Sequence, residues 1–275
     1  MTKPLFFKNK ENNYYLFGFL FQPRVKNANN RKGVIFCDSI GSEKYFSHRV
    51  LVNFARLLQA NGYVAFLFDY YGNGDSEGDF ESTRLESYLS DTKEAIEFLT
   101  QETKVEEVYL LGLRLGAVFA SLVAAKEIGV EGLVLWSPVI DVGEYLYDSL
   151  RSNLTIQGIV HKRIKFNRAQ LIEQIKNNTP VVVEGYVMVK DFYQSLFDIN
   201  LKTIRLRPES RVLLVEISNK VDSEKNGALD LIFKDNNQCL RVVIQDDPFW
   251  ILKGTNQRYI TSSRLLFEKT LSWLG

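Results

Sequence analysis

Two cysteines and two histidines in 275 residues leave little material for several common chemistries. Cys37 lies in an apolar, strand-like run and Cys239 just before another. Neither a disulfide framework nor a zinc site is indicated, and both read as buried free thiols. An excess of charge is also missing: 34 Lys and Arg against 33 Asp and Glu give a formal net charge of +1. That balance supplies no argument for a nucleic acid or an anionic membrane surface as partner. The nearest thing to a basic cluster, His161-Lys162-Arg163-Ile164-Lys165, is short and reads as a solvated helix face. No apolar run approaches the ~20 residues that span a bilayer, and Met1-Thr2-Lys3-Pro4 opens no signal-peptide apolar segment. The expectation from these absences is a cytoplasmic protein with no membrane span, no nucleic-acid partner, no metal and no cofactor.

What is there is a chain 45% hydrophobic, long enough for one large α/β domain with its own core. Residues 4–8 and 14–21 read as two strands joined by an Asn-rich hairpin turn, and 27–32 as a polar turn. Gly33-Val34-Ile35-Phe36-Cys37 is a continuous apolar run, as in a strand buried on both faces of a parallel sheet. A helix follows with Val50, Phe54, Leu57 and Leu58 on one face, ending near Gly62. Strand and helix signals then alternate: a strand at 64–68, a glycine-rich turn, a helix at about 87–100, a strand at 108–111, a helix at 115–128 and a strand at 132–136. The alternation predicts a doubly wound, mostly parallel sheet of eight strands, with one antiparallel strand near the N-terminus and helices on both faces. From Ser137 to about Arg207 the regularity lapses, apart from the apolar run Pro180-Val181-Val182-Val183. Strands resume at 211–215 and 240–244, and a terminal helix covers about 260–274. The reading is one domain over 1–275, with a cap or lid inserted at about 139–207.

Open α/β sheets carry their sites at the carboxyl ends of the strands. The strand ending at Leu111 runs into Gly112-Leu113-Arg114-Leu115-Gly116, which has the glycine spacing of a nucleophile elbow, G-x-S-x-G, with arginine at the centre. With Gly112-Leu113-Arg114-Leu115-Gly116-Ala117, three more stretches carry a family resemblance: Leu16-Phe17-Gly18-Phe19-Leu20; Asp69-Tyr70-Tyr71-Gly72-Asn73-Gly74-Asp75-Ser76-Glu77-Gly78-Asp79-Phe80; and Pro248-Phe249-Trp250. The chain resembles α/β hydrolases of the serine aminopeptidase-like type, and within them the exosortase-associated hydrolases found near bacterial protein-sorting and exopolysaccharide genes. Glu184-Gly185-Tyr186 also resembles that subgroup. The resemblance implies an α/β-hydrolase fold with a small cap insertion, and a partner in an exopolysaccharide or protein-sorting system or a second copy of the chain.

The triad order in this fold is Ser, then Asp or Glu, then His. The acid is expected after the strand ending at Val215, where Glu216 and Asp222 are the candidates. The histidine is expected after the strand ending at Ile244, but that loop reads Gln245-Asp246-Asp247-Pro248-Phe249-Trp250, and no histidine follows His161. Without an imidazole, neither deprotonation of a serine nor protonation of a leaving group has its usual agent. His48 reads as an ordinary helix residue and His161 as a solvated one. The loop expected to supply the oxyanion hole, Asp38-Ser39-Ile40-Gly41-Ser42-Glu43-Lys44, has no histidine–glycine pair. Ser39 and Ser42 are the candidates for a displaced nucleophile, with Asp38 and Cys37 as further reactive groups nearby.

Arg114 itself admits three readings, an anion-binding site, an internal salt bridge and a catalytic arginine, of which the first two can coexist. A guanidinium at a helix N-terminus suits a carboxylate or phosphate, which places a small anionic or acyl ligand against Asp38, Ser39, Arg114, Leu115, Asp247, Phe249 and Trp250. Alternatively it closes an internal salt bridge, with Asp38, Glu216, Asp246 or Asp247 as partner. Three functions follow: a non-catalytic or weakly active binding protein; a hydrolase or acyltransferase acting on esters, amides or thioesters with a rearranged site; or a structural accessory whose cleft is closed.

Overall fold

The computed structural model describes residues 1–24, 31–127, 129–219, 232, 233, 236, 238–251 and 263–275. Its centre is a sheet of eight strands: β1 (Thr2–Asn9), β2 (Tyr14–Phe21), β3 (Lys32–Cys37), β4 (Val64–Phe68), β5 (Glu107–Leu113), β6 (Val130–Trp136), β9 (Arg211–Ser218) and β10 (Cys239–Gln245). They lie in the order β1-β2-β4-β3-β5-β6-β9-β10. Strand β2 runs antiparallel to both its neighbours, and every other pairing is parallel. The eight strands and the single reversed strand agree with the sequence pattern.

The alternation of side chains along the central strands divides the core into two layers. Ile35, Phe66, Leu110, Leu133 and Leu214 face one side, where α2 (Leu85–Thr103) and α3 (Leu115–Ala124) pack. Val34, Ala65, Leu111, Val134 and Leu213 face the other, against α1 (Gly41–Ala60) and α8 (Arg264–Leu274). Both faces are covered, which is why these strands read as continuous apolar runs rather than alternating ones.

Between β6 and β9 lie α4 (Val142–Ser149), α5 (Arg151–His161), α6 (Arg168–Lys176), a hairpin of β7 (Val181–Val183) with β8 (Tyr186–Met188), and α7 (Lys190–Leu196). Leu146, Leu150, Leu171, Ile175, Val183 and Phe192 join this segment to the α2–α3 layer of the core. The glycine-rich turn after β4 clamps β2: the Ser76 hydroxyl accepts from the Phe17 amide at 2.9 Å, and Glu77 accepts from the Tyr15 amide at 2.8 Å. Gly74 stands at φ 57°, and a Cβ there would meet Asp69 Oδ2 at 2.1 Å.

Most boundaries differ from the sequence reading by one to three residues, and three differ by more. Helix α1 begins at Gly41, so the loop after β3 is only Asp38-Ser39-Ile40 and Glu43 sits in the first helical turn, where the helix dipole favours a carboxylate. Helix α3 ends at Ala124, with Ala125 and Lys126 in a turn. The terminal helix starts at Arg264; the start expected near Ile260 and most of the turn expected at 27–32 fall outside the described residues.

Candidate functional site

Arg114 stands between β5 and α3 with φ 54° and ψ −117°, a strained conformation for a residue with a side chain. The surrounding chain holds it there. Its amide donates to the Trp136 carbonyl at 3.0 Å, and its carbonyl accepts from the amides of Ala117 at 3.2 Å and Val139 at 3.3 Å. The flanking glycines permit the approach: a Cβ on Gly112 would lie 2.3 Å from Ala117 Cα, and one on Gly116 only 2.0 Å from the Cys37 carbonyl oxygen. The turn is therefore built by backbone contacts that do not involve the side chain at 114.

The guanidinium meets four groups. Nε donates to Glu43 Oε1 at 3.0 Å and Nη1 to the Ser137 carbonyl at 3.1 Å. Ser137 is itself held at φ 43°, its amide donating to Val215 O at 2.7 Å and its hydroxyl accepting from the Ile217 amide at 3.0 Å. The Trp250 ring lies 5.2 Å and the Tyr145 ring 5.8 Å from the guanidinium carbon, within reach of cation–π attraction. Nη2 carries no hydrogen bond to any described residue.

Glu43 is the hub. Besides Arg114 it accepts, on Oε2, the Ser39 hydroxyl at 2.7 Å and the Tyr145 hydroxyl at 3.2 Å. Burial, with the Glu43 charge acting in the same sense, pushes the Tyr145 phenol well above its ordinary range, so it remains a donor. The partner of Arg114 is thus Glu43 and none of Asp38, Glu216, Asp246 or Asp247. The sequence does not single out Glu43, because it places the residue in the loop; in the structure it lies one helical turn from Ser39 and its carboxylate reaches the strand ends. Tyr145 and Ser137 are not singled out by the sequence either, and nothing in their local sequence marks them; Glu184 stands out only through the resemblance of Glu184-Gly185-Tyr186, which gives it no role.

The remaining candidates sort by position. Asp38 is buried; its Oδ1 accepts from the Ser39 amide at 2.7 Å and the Ser47 hydroxyl at 3.3 Å. Burial pushes its carboxyl up to about 7, against the pull of Lys44. Ser39 is 1% exposed, with its hydroxyl committed to Glu43. Ser42 is half-buried and hydrogen-bonded to the Glu184 carboxylate of the β7–β8 turn. Leu115 is fully buried. Phe249 and Trp250 are buried after β10, with ring centroids 5.2 Å apart. Asp247 is exposed, Asp246 takes the Ser263 hydroxyl, and Glu216 is half-buried on β9. Asp222 lies outside the described residues.

Cys37 is buried and its thiol pushed up to about 12, so it stays protonated, whereas Cys239 is only half-buried. His48 lies on α1 and lines a cavity of about 300 Å³ with Asp38, Asp69 and Asp75; burial lowers its pKa. His161 closes α5, exposed to solvent. A small apolar pocket adjoins Tyr145, lined by Ile40, Phe80, Leu146, Tyr186 and Met188 among others. Among the described residues no cluster of three or more His, Cys, Asp or Glu is arranged to hold a metal, and no helix is long and apolar enough to cross a membrane.

Sheet order, covered faces and the strained turn after β5 define an α/β-hydrolase fold. A family model described as serine aminopeptidase, S33, matches residues 45–188, more than half of the chain, and the chain belongs to that family. No curated protein sequence matches it. Among solved structures it is similar to Est1E of Butyrivibrio proteoclasticus with ferulic acid bound, at 18% identity and a TM-score of 0.68, covering 98% of this chain and 99% of that one. It is also similar to DcsB in complex with its substrate analogue, at 15% identity and TM-score 0.66, covering 100% and 98%. The α/β hydrolase GrgF of Penicillium sp. sh18 follows at 15% identity and TM-score 0.63, covering 100% and 98%. These likenesses establish the fold.

Proposed function

We propose that this chain is a ligand-binding member of its family with little or no hydrolytic activity. In this reading Arg114 occupies the nucleophile position, and the segment at 139–207 acts as a cap over it. The observation that carries the proposal is the Arg114 cluster itself. Its guanidinium is fixed by Glu43 and the Ser137 carbonyl and flanked by Trp250 and Tyr145, while Nη2 has no partner among the described residues. A fixed guanidinium with donors to spare, at the N-terminus of a ten-residue helix, suits a carboxylate or phosphate oxygen. The apolar pocket beside Tyr145 suits the acyl end of the same molecule. The absent imidazole argues in the same direction, since the two histidines lie on α1 and at the end of α5. The resemblance to exosortase-associated proteins suits a cytoplasmic role beside an exopolysaccharide or protein-sorting system.

Calorimetric titration of the full chain with acetate, hexanoate, octanoate and inorganic phosphate tests the proposal. At least one of these anions should bind, and Arg114→Met should weaken it at least tenfold. Absence of binding across the panel, or equal binding by Arg114→Met, overturns it.

A second reading, a hydrolase or acyltransferase with a displaced site, draws on one specific observation: the Ser42 hydroxyl donates to the Glu184 carboxylate at the edge of the same pocket. A carboxylate can act as general base toward a hydroxyl within hydrogen-bond reach. Ser39 does not offer this option, because it is buried. Stoichiometric labelling of Ser42 by a fluorophosphonate, lost in Glu184→Gln, would favour this second reading.

A further inference from the structure

The near-zero net charge conceals a strong local segregation. From Leu150 to Ile172 the chain contains no Asp or Glu, but it carries Arg151, Lys162, Arg163, Lys165 and Arg168. Residues 159–167, at the end of α5 and in the loop beyond it, are all exposed. Four of them are large apolar residues: Ile159 is 69% exposed, Val160 64%, Ile164 61% and Phe166 42%. Ile156, one turn earlier on α5, is 42% exposed. Five large hydrophobics interleaved with cations on one protrusion exceed the scattered exposed residue that needs no explanation.

The protrusion is built rather than frayed. Lys162 stops α5 in the left-handed conformation, at φ 58°. The buried Gln157 side chain then pins the returning loop: its Oε1 accepts from the amides of Lys165 at 2.7 Å and Phe166 at 2.9 Å, and its Nε2 donates to the Phe166 carbonyl at 3.0 Å. Asn167 caps α6 by accepting from the Gln170 amide at 3.0 Å. Two amides and one carbonyl of the loop are thus satisfied from within, while the Ile164 and Phe166 side chains remain outside. The charges divide as well. Arg151 and Arg168 both reach Asp148, at 3.3 and 2.8 Å, and Arg168 lies over the Tyr147 ring at 4.0 Å. Lys162, Arg163 and Lys165 have no acidic partner among the described residues.

We infer that the tip formed by the end of α5 and residues 162–167 docks on the surface of an anionic lipid bilayer. Ile159, Val160, Ile164 and Phe166 enter the headgroup–acyl boundary, and Lys162, Arg163 and Lys165 meet lipid phosphates. Interfacial binding needs this pairing of exposed apolar side chains with unneutralised cations, and it requires no spanning segment. The all-cationic sequence of the tip complements an anionic surface.

Co-sedimentation of the full chain with large unilamellar vesicles tests this inference. Vesicles of phosphatidylcholine with 40% phosphatidylglycerol should bind the protein, and phosphatidylcholine alone should not. Lys162→Gln/Arg163→Gln/Lys165→Gln should weaken partition roughly 100-fold, about fivefold per cation. Ile164→Ser/Phe166→Ser should weaken binding without changing its salt dependence, which separates apolar insertion from charge. Equal binding to neutral vesicles, retention by the triple variant, or no binding to anionic vesicles overturns the inference. So does capture of soluble poly-glutamate in place of vesicles, which would point to an acidic protein partner. Should a variant fail to fold, the comparison of neutral with anionic vesicles for the parent chain decides alone.

Discussion

Replacing Glu43 by alanine removes one carboxylate and strands three donors at once. Arg114 loses its only acidic partner among the described residues, and the hydroxyls of Ser39 and Tyr145 lose their acceptor. Breaking a fully buried ion pair costs about 3–5 kcal/mol. Arg114 is 23% exposed and Glu43 10% exposed, and Arg114 keeps its bond to the Ser137 carbonyl, so water recovers much of that and its share falls to about 1–2 kcal/mol. Ser39 has no access to solvent, and an unsatisfied buried hydroxyl costs about 1–2 kcal/mol. With the Tyr145 contribution and the non-additivity of neighbours, the total is about 3 kcal/mol. For a chain of this size that corresponds to a Tm lower by roughly 6 °C. The assay is heat and urea unfolding of Glu43→Ala beside Glu43→Gln, whose amide keeps volume and an acceptor and should cost about half as much. A cycle with Arg114→Met should return a coupling of about 1–2 kcal/mol. Glu43→Ala within about 0.5 kcal/mol of the parent, or a cycle that is strictly additive, would refute the placement of Glu43 at the hub.

Asp38→Asn should be increasingly favourable as pH rises. Below about pH 4 Asp38 is protonated in both folded and unfolded chains. From the ordinary 3.8 to about 7 only the folded state holds the proton, so stability falls across that window and the deficit is constant above it. The stability gap between Asp38→Asn and the parent, read from urea unfolding, should therefore open between pH 4 and 7, by at most ~4 kcal/mol; a gap independent of pH contradicts this. A fluorophosphonate probe should leave the parent unlabelled by intact-mass measurement, with an adduct on Ser42 the contrary outcome. Arg114→Ser should melt below the parent and hydrolyse p-nitrophenyl acetate only at trace rates, whereas rapid turnover in a stable variant would reveal a base other than those described. Iodoacetamide at pH 7.5 should modify Cys239 before Cys37, because Cys37 is a buried thiol; the reverse order would show the β3 end to be open.

The sheet was legible because both its faces are covered: Val34-Ile35-Phe36, Val64 to Phe68 and Val108 to Leu111 advertise burial in the sequence itself. The turn at 112–116 was legible because backbone crowding selects glycine at two fixed positions. The site around it was not. Whether Glu43 counts as loop or helix depends on α1 starting at Gly41, and Ile40, which precedes it, gives no capping signal. Tyr145 reaches Glu43 from α4, 102 positions away in the chain, a contact that periodicity does not encode. The basic tip was visible as letters, but its exposure depends on the Gln157 side chain holding residues 165 and 166, and whole-chain charge averaged it away.

The strained turn at 112–116 is built without any contribution from the side chain at 114. The turn is held by the Trp136 and Arg114 carbonyls and by the absence of Cβ atoms at 112 and 116. None of these requires a hydroxyl at 114, so the backbone strain survives whatever side chain stands there. Chemistry depends on what the neighbouring loops bring to that side chain. Here the loop after β10 brings the Trp250 indole to 5.2 Å from the guanidinium carbon, and α1 brings a carboxylate. An indole N–H can donate but cannot take up a proton, and the carboxylate already accepts from three donors. Both neighbours suit a permanent cation: the ring face attracts it and the carboxylate compensates it. The same pair suits a serine poorly, since among the described residues neither a free base nor a free acid is shown beside the Arg114 side chain. The arginine at 114 therefore agrees with its surroundings, and that agreement, more than any single missing residue, is what supports the proposed reading of the site as a binding site rather than a serine-hydrolase triad.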